Sequence, residues 1–215
     1  MGLEMTSDPT AALEIRPAAT VVLWRYNHDG PQVLMGQRGA NAAFMPSKYV
    51  FPGGAVDPDD ENTACDLTLH ATCWQRLDLN RATESASPRA IVAAAVRELW
   101  EETGLRLAGN LQTGHPLRFI FRAITPPGRS RRFDARFFLA DAANVAGNPD
   151  DFSAASDELS HLHWIGLTQA RGLDLPFITE VVLAEIGHVL CDNPTSAGVP
   201  FFDNSGQMPT FRRLD

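Results

Sequence analysis

The chain reads as one domain of the α/β or α+β class, and three observations predict it. Short apolar runs of strand length stand on both sides of a central segment with helical spacing, a second helical segment follows late in the chain, and no internal repeat is present. Its 215 residues suit one sizeable domain, and 44% hydrophobic with 20% charged residues is the composition of a globular chain with a core. A fibrous or wholly disordered protein is excluded.

Taken in order, residues 1 to about 15 are small and polar and read as a flexible arm. Ala18 to Trp24 and Gln32 to Gly36 flank the turn formers Asn27-His28-Asp29-Gly30-Pro31, which predicts a strand, a tight turn and a strand. Tyr49-Val50-Phe51 is a third extended piece that runs into Pro52-Gly53-Gly54, where two glycines allow close approach to the backbone. Residues 57 to 87 are polar and mixed, read as an insertion, and hold a short helix near Ala64 to Leu79. Ser87-Pro88 supplies an N-cap and a proline at the first helical position, and Gly104 a left-handed C-cap. Between them Ile91, Val92, Ala94, Ala95 and Leu99 make an apolar stripe that packs the helix on a sheet. Leu117 to Ile124, Phe133 to Ala140 and His163 to Gly166 read as strands, Phe177 to Leu190 as a helix, and 193–215 as a polar tail. The domain is thus expected over 16–192.

Charge and apolar runs narrow the partners. Twenty-six Asp and Glu against eighteen Lys and Arg leave a net charge of −8, which repels nucleic acid polymers and anionic membranes at long range. No apolar run approaches the roughly 20 residues of a membrane-spanning helix, and the N-terminus lacks the basic start and apolar stretch of a secretory signal, so a cytoplasmic location is expected. Gly2 and Thr6 formally fit a myristoylation pattern without a polybasic second signal. Cys65, Cys73 and Cys191 cannot all pair within one chain, and Cys65, His70 and Cys73 fall one ligand short of a structural zinc site.

Chemistry concentrates on the central helix. Glu98, Glu101 and Glu102 fall at i, i+3 and i+4 and share one face. Beside the glycine turn, such a face calls for a hard divalent cation, Mg²⁺, Mn²⁺ or Ca²⁺; in solvent it is an acidic stripe. Arg97 pairs most simply with Glu101 at i+4. Arg129, Arg131, Arg132 and Arg136 form a basic stretch suited either to phosphate oxygens or to a charged strand edge. Trp100 and Trp164 read as core aromatics rather than stacking platforms.

Arg97-Glu98-Leu99-Trp100-Glu101-Glu102-Thr103-Gly104-Leu105 matches every fixed position of the REUxEExGU segment of the Nudix hydrolases, U being aliphatic, and Phe51-Pro52-Gly53-Gly54 matches the signature's front end. The sequence therefore resembles that family; chance would give such a match about once in 10⁵ chains of this length. The resemblance covers about Ala18 to Gly166. It implies a Nudix-type α/β/α sandwich with a mixed β-sheet and a Mg²⁺- or Mn²⁺-dependent diphosphatase cleaving a nucleoside diphosphate linked to another group. It further implies Glu98, Glu102 and Arg97 as catalytic, Gly53 through its carbonyl with Glu98, Glu101 and Glu102 as metal ligands, and Arg38, Gly54 and Arg132 as substrate-binding. A base recruited from a later loop points to Asp157 or Glu158, with Asp134, Asp150 and Asp151 competing.

Two departures stand out. Arg97 lies 43 residues after Gly54 where the family has 14, and counting back eight from Arg97 to the family's further glutamate gives Arg89. They motivate an alternative reading, a catalytically weak Nudix-fold module that senses nucleotides or binds protein. The lengthened signature, Phe44-Met45-Pro46 and Arg132-Phe133-Asp134 resemble the branch of peroxisomal coenzyme A diphosphatases, so coenzyme A or an acyl-coenzyme A is the leading substrate. Gln37-Arg38 falls where a coenzyme A signature has its arginine, but that signature's second arginine and glycine are Ala43 and Ser47, and Arg213-Leu214-Asp215 is no peroxisomal address. The role of 57–87 and the subunit count, a homodimer included, stay open at this point.

Overall fold

In the computed structural model, residues 13–81, 85–108, 115–192, 198–206 and 208–215 are described. The first hairpin is longer than its apolar runs: β1 spans Ile15–Asn27 and β2 Gly30–Arg38, because polar residues at both ends still find ladder partners. Past that hairpin β1 and β2 separate. The segment between Tyr49 and Ala55 fills the fork, with β3 (Tyr49–Val50) bonded to β2 and β4 (Gly53–Ala55) bonded to β1, and the carbonyl of Pro52 accepting the Val21 N–H at 2.9 Å.

The stretch after the fork enters the core instead of hanging outside it. A 3₁₀ turn over Pro58–Glu61 leads to helix α1 (Ala71–Asp78), and Leu67, Leu69, Cys73 and Leu77 are buried in the main apolar cluster. Helix α2 (Pro88–Thr103) begins with Ser87 Oγ accepting the Ala90 N–H at 3.1 Å and ends with Gly104 at φ 73°, as its sequence predicts. Its apolar stripe, Ile91, Val92, Ala94, Ala95 and Leu99, is buried against the sheet.

Strands β5 (Arg118–Ile124), β6 (Arg132–Asp141) and β7 (Leu159–Gly166), the short helix α3 (Leu167–Ala170) and helix α4 (Phe177–Asp192) follow. The C-terminal region departs from the expected polar tail: β8 (Val199–Asp203) pairs parallel with β5, and β9 (Thr210–Leu214) closes the sheet antiparallel to β8. Val199, Phe201 and Leu214 bury themselves in the core, which is why so short a stretch is held there. Residues 1–12, 82–84 and 193–197 lie outside the described part, and with them most of the expected arm, part of the insertion and part of the tail.

The described strands form one mixed sheet in the order β3-β2-β1-β6-β5-β8-β9, with β4 on β1 and β7 on β2. One face carries α1 and α2 over Val21, Leu23, Phe119 and Phe138; the other carries α4 over Val22, Ile120, Phe137 and Leu139. Helices on both faces of a mixed sheet give the predicted layered fold. Among the described residues no helix is long and apolar enough to cross a membrane.

Candidate active site

The fork between β1 and β2 brings α2 and the glycine turn together. Gly53 N–H donates to Glu102 Oε2 at 2.7 Å, and a Cβ on Gly54 would stand 2.4 to 2.6 Å from the carboxylate of Glu98. A Cβ on Gly53 would fall 2.5 Å from the Ala19 carbonyl oxygen and 2.6 Å from Thr20 Cα. Close approach therefore requires glycine at 53, against the backbone of the neighbouring strand, and glycine at 54 leaves room for the Glu98 carboxylate.

Burial sets the electrostatics of the two acids. Glu102 is 2% exposed, and loss of hydration pushes its carboxyl from an ordinary 4.5 up to about 8, against the single Gly53 hydrogen bond that favours the charged form. Glu98 moves in the same direction for the same cause, opposed by Arg97. Glu158 adds to both as a nearby negative charge.

Arg97 holds more than its i+4 partner. Its Nε and one terminal nitrogen donate to the two oxygens of Asp60 at 3.0 and 2.9 Å, the same terminal nitrogen donates to the Ala55 carbonyl at 3.0 Å, and the other reaches Glu98 at 2.8 Å and Glu101 at 3.0 Å. The Asp60 contact, foremost, holds the guanidinium well above its usual range. Asp60 is itself buried and accepts the Asp57 N–H at 2.8 Å. It stands six residues after Gly54, so the acid that is absent on counting back from Arg97 to Arg89 is present on counting forward from the glycine turn. The extra residues fall between the two halves of one constellation.

A cleft of about 290 Å³ opens here, lined by Gly53, Gly54, Glu98, Glu102 and Glu158 together with Arg16, Arg38 and Arg131. Its apolar walls are Phe44, Phe51, Phe133 and Phe137. The loop carrying Glu158 is tied to α2 by the Ser156 N–H donating to the Glu101 carbonyl at 2.9 Å.

Several expected site residues stand elsewhere. Glu101 does not line the cleft: its side chain is half-exposed and shares one terminal nitrogen of Arg97 with Glu98. Arg132 is buried, its guanidinium donating to the Thr125 carbonyl at 2.9 Å and the Asn204 carbonyl at 2.6 Å; alternation along β6 turns it away from the cleft, and its neighbour Arg131 takes the lining position. Arg136 is fully buried beside Asp134, which Arg122 also grips at 2.7 Å, so neither faces the cleft. Asp150 pairs with Arg25, and Asp151 accepts the Ser153 N–H. Asp157 is exposed and does not line the cleft, whereas Glu158 does. Trp100 lies under Arg106, 3.7 Å from guanidinium carbon to ring centroid, outside the cleft.

Sequence reasoning missed Asp60, because its partner is 37 residues away, and the phenylalanine walls, whose spacing carries no chemical signal. The donor chemistry fits a divalent cation: hard carboxylate oxygens of Glu98, Glu102 and Glu158 face one cleft, and at Glu102 the loss of hydration outweighs the Gly53 hydrogen bond and the charge of Arg38. As the side chains stand, no three metal-ligating groups among the described residues close into a ligand set.

Residues 87–184 match the NUDIX domain family. "Putative nudix hydrolase 7" of Caenorhabditis elegans is 26% identical over 148 residues, covering 62% of this chain and 46% of that relative, so the chain spans less than half the relative's length. Among solved structures, a NUDIX hydrolase from Alicyclobacillus acidocaldarius is similar with a TM-score of 0.58 at 26% identity, over 81% of this chain and 91% of that one. The NUDIX domain of Shewanella oneidensis NrtR, solved with ADP ribose, shares the fold with a TM-score of 0.52 at 14% identity, over 86% and 94% of the two chains. The domain match and these relatives support the Nudix family for this chain, and the fold is the Nudix fold.

Proposed function

We propose that this chain is a Nudix-type diphosphatase, a Mg²⁺- or Mn²⁺-dependent hydrolase of the diphosphate linkage between a nucleoside and a second group. The observation that carries the reading is the packing of Glu98 and Glu102 on the Gly53-Gly54 turn, in a cleft that Arg16, Arg38 and Arg131 also line. Glu98 and Glu102 would hold the metal, which when bound neutralises diphosphate oxygens and lowers the pKa of water.

The remaining chemistry belongs to the chain. Arg97, fixed by Asp60, aims Glu98, and the Gly53 N–H aims Glu102, so neither carboxylate has to be ordered when substrate arrives. Guanidinium forks of Arg38 and Arg131 fit phosphate oxygens. Glu158, on a loop that reaches the same cleft, is the candidate to accept a proton from the attacking water, favoured over Asp157 because it lines the cleft. Arg89 and the long insertion no longer favour a turnover-free module, since Arg97 finds its acid in Asp60 and the insertion packs into the core. Coenzyme A or an acyl-coenzyme A remains the substrate that the sequence resemblance favours, at a cytoplasmic location.

Purified protein with Mg²⁺ or Mn²⁺, offered coenzyme A and its esters, dinucleotides, nucleotide sugars and nucleoside triphosphates, is expected to release mononucleotide products detectable by mass spectrometry. Glu102→Gln should lower turnover at least about 100-fold with the fold intact. Binding without product across the whole panel would overturn the enzyme reading.

A further inference from the structure

Glu158 reaches the cleft at the end of a loop over 148–158, and that loop folds on itself in tight turns. Asn148 Oδ1 accepts the Asp150 N–H at 3.0 Å, Asp151 Oδ1 the Ser153 N–H at 3.0 Å, and the Phe152 carbonyl the Ala155 N–H at 3.0 Å. Asn and Asp favour such turns because their side chains bond the backbone two residues on. Turns fix the shape of a loop but not its place, so the place must come from contacts with the rest of the fold.

The near end rests on α2. The last four carbonyls of a helix have no partner within it. Here the Trp100 carbonyl accepts the Gly104 N–H at 2.8 Å, and the Glu101 carbonyl accepts the Ser156 N–H at 2.9 Å. A Cβ on Gly104 would stand 2.9 Å from the Ala154 carbonyl carbon and 3.0 Å from the Ala155 nitrogen, so the loop lies directly against the helix end.

The far end is clasped by the sheet. Arg25 of β1 pairs with Gln32 of β2, Gln32 and Leu34 share a face of β2, and Leu34 pairs with Trp164 of β7. Arg25, Gln32 and Trp164 therefore project on the same face, the one that carries α2. The Arg25 guanidinium lies over the Trp164 indole, its carbon 4.3 Å from the ring centroid, and donates to Gln32 Oε1 at 3.0 Å and Asp150 Oδ1 at 2.8 Å. Trp164 Nε1 donates to the Pro149 carbonyl at 3.3 Å. Two stacked side chains thus grip adjacent loop residues, Pro149 through its backbone and Asp150 through its charge. An exposed ion pair alone would contribute little, but this guanidinium is also held by the indole face and by Gln32. None of Arg25, Trp164 and Asp150 lines the cleft.

We propose that Arg25 and Trp164 are positioning residues for the reaction: they clasp the far end of the 148–158 loop, so that Glu158 stands in the cleft before substrate arrives. The role of Glu158 as proton acceptor rests on the function proposed above; the hold of the clasp on the loop is testable without turnover.

Two measurements on the full chain test it. Arg25→Met keeps an aliphatic stem and removes the charge, the fork and the stacking. By hydrogen exchange, the amides of Ser153, Ala155 and Ser156 should exchange at least about 10-fold faster in this variant, while those of α2 from Ile91 to Leu99 stay unchanged. With Mg²⁺ and a substrate that gives product, kcat should fall at least about 5-fold with KM changed less than about twofold. That loss should vanish when Arg25→Met is combined with Glu158→Gln, because a displaced base and an absent one cost the same turnover. Trp164→Phe keeps a ring against the core and loses the Nε1 donor; it should give the same pattern at lower amplitude, and it decides the matter if Arg25→Met does not fold. Glu158→Gln with unchanged kcat, beside faster exchange of the loop amides in the clasp variants, would overturn the base assignment alone. Unchanged exchange of those amides, or losses that add in the double variant, would overturn the clasp.

Discussion

Replacing Glu102 with glutamine keeps the shape of a buried side chain and removes its charge. In the folded chain this carboxyl sits at about 8 against 4.5 for an ordinary one, so between those values the fold holds a proton that the unfolded chain has released. A fold that binds more protons loses stability as pH rises, so the contribution is harmless below pH 4.5 and grows unfavourable up to pH 8. At 1.36 kcal/mol per pKa unit, the raised pKa costs about 3 kcal/mol at pH 7, where the fold still holds the proton, and about 4 kcal/mol at pH 8.

The metal-free Glu102→Gln protein should therefore match the parent near pH 4.5 and exceed it by an amount that increases toward pH 8. For a chain of this size 3 kcal/mol is roughly 6 to 12 °C in Tm. Urea unfolding of both proteins in EDTA at pH 5, 7 and 8 gives the difference directly, and taking the difference removes the titrating groups that do not interact with Glu102. Added Mg²⁺ should then stabilise the parent most at pH 8 and leave the glutamine variant nearly unmoved, since a cation that replaces the proton relieves the same cost. A difference that is flat with pH, or equal Mg²⁺ stabilisation of both proteins, would refute the claim that Glu102 is a buried carboxylate awaiting a cation.

The two glycines of the turn should fail differently. Gly54→Ala places a methyl group against the movable Glu98 carboxylate, so activity should drop at least about 10-fold with little change in Tm, whereas Gly53→Ala drives into the backbone of β1 and should destabilise the fold by roughly 1 to 3 kcal/mol in urea unfolding. Asp60→Asn removes two charge-assisted contacts to Arg97 and should lower stability by about 2 to 3 kcal/mol; kcat should fall more than KM rises if Arg97 acts by aiming Glu98, and an unchanged kcat would confine Asp60 to a structural role.

Much of this was readable before any coordinates, and the parts that were not share a cause. Helix α2 announced itself because Ser87-Pro88, the apolar stripe and Gly104 are local signals, each decided within a turn or two of chain. The Gly53-Gly54 turn was readable as a place of close approach, but not what approaches; that required knowing that β1 and β2 part and admit it between them. Arg132 opens β6 facing away from the cleft while Arg131, the residue just before the strand, lines it, and a difference of one residue is not legible in a run of arginines. The last strands were missed because Val199 to Asp203 is too short to show a period by itself and gains its burial from β5.

The net charge of −8 suggested a poor host for phosphates, and the placement of charge qualifies that inference. Repulsion between separated, exposed groups is largely screened beyond about 8 to 10 Å at ordinary ionic strength, so the acidic surface matters little to a ligand already inside the cleft. What the ligand meets there is Arg16, Arg38 and Arg131 together with carboxylates that burial has made poor at holding negative charge alone. The same desolvation that raises Glu102 strengthens its attraction for a cation, because both effects come from the missing water. Binding of a diphosphate should accordingly depend steeply on divalent metal and only weakly on monovalent salt, and the reverse dependence would place the phosphate contacts on the exposed arginines alone.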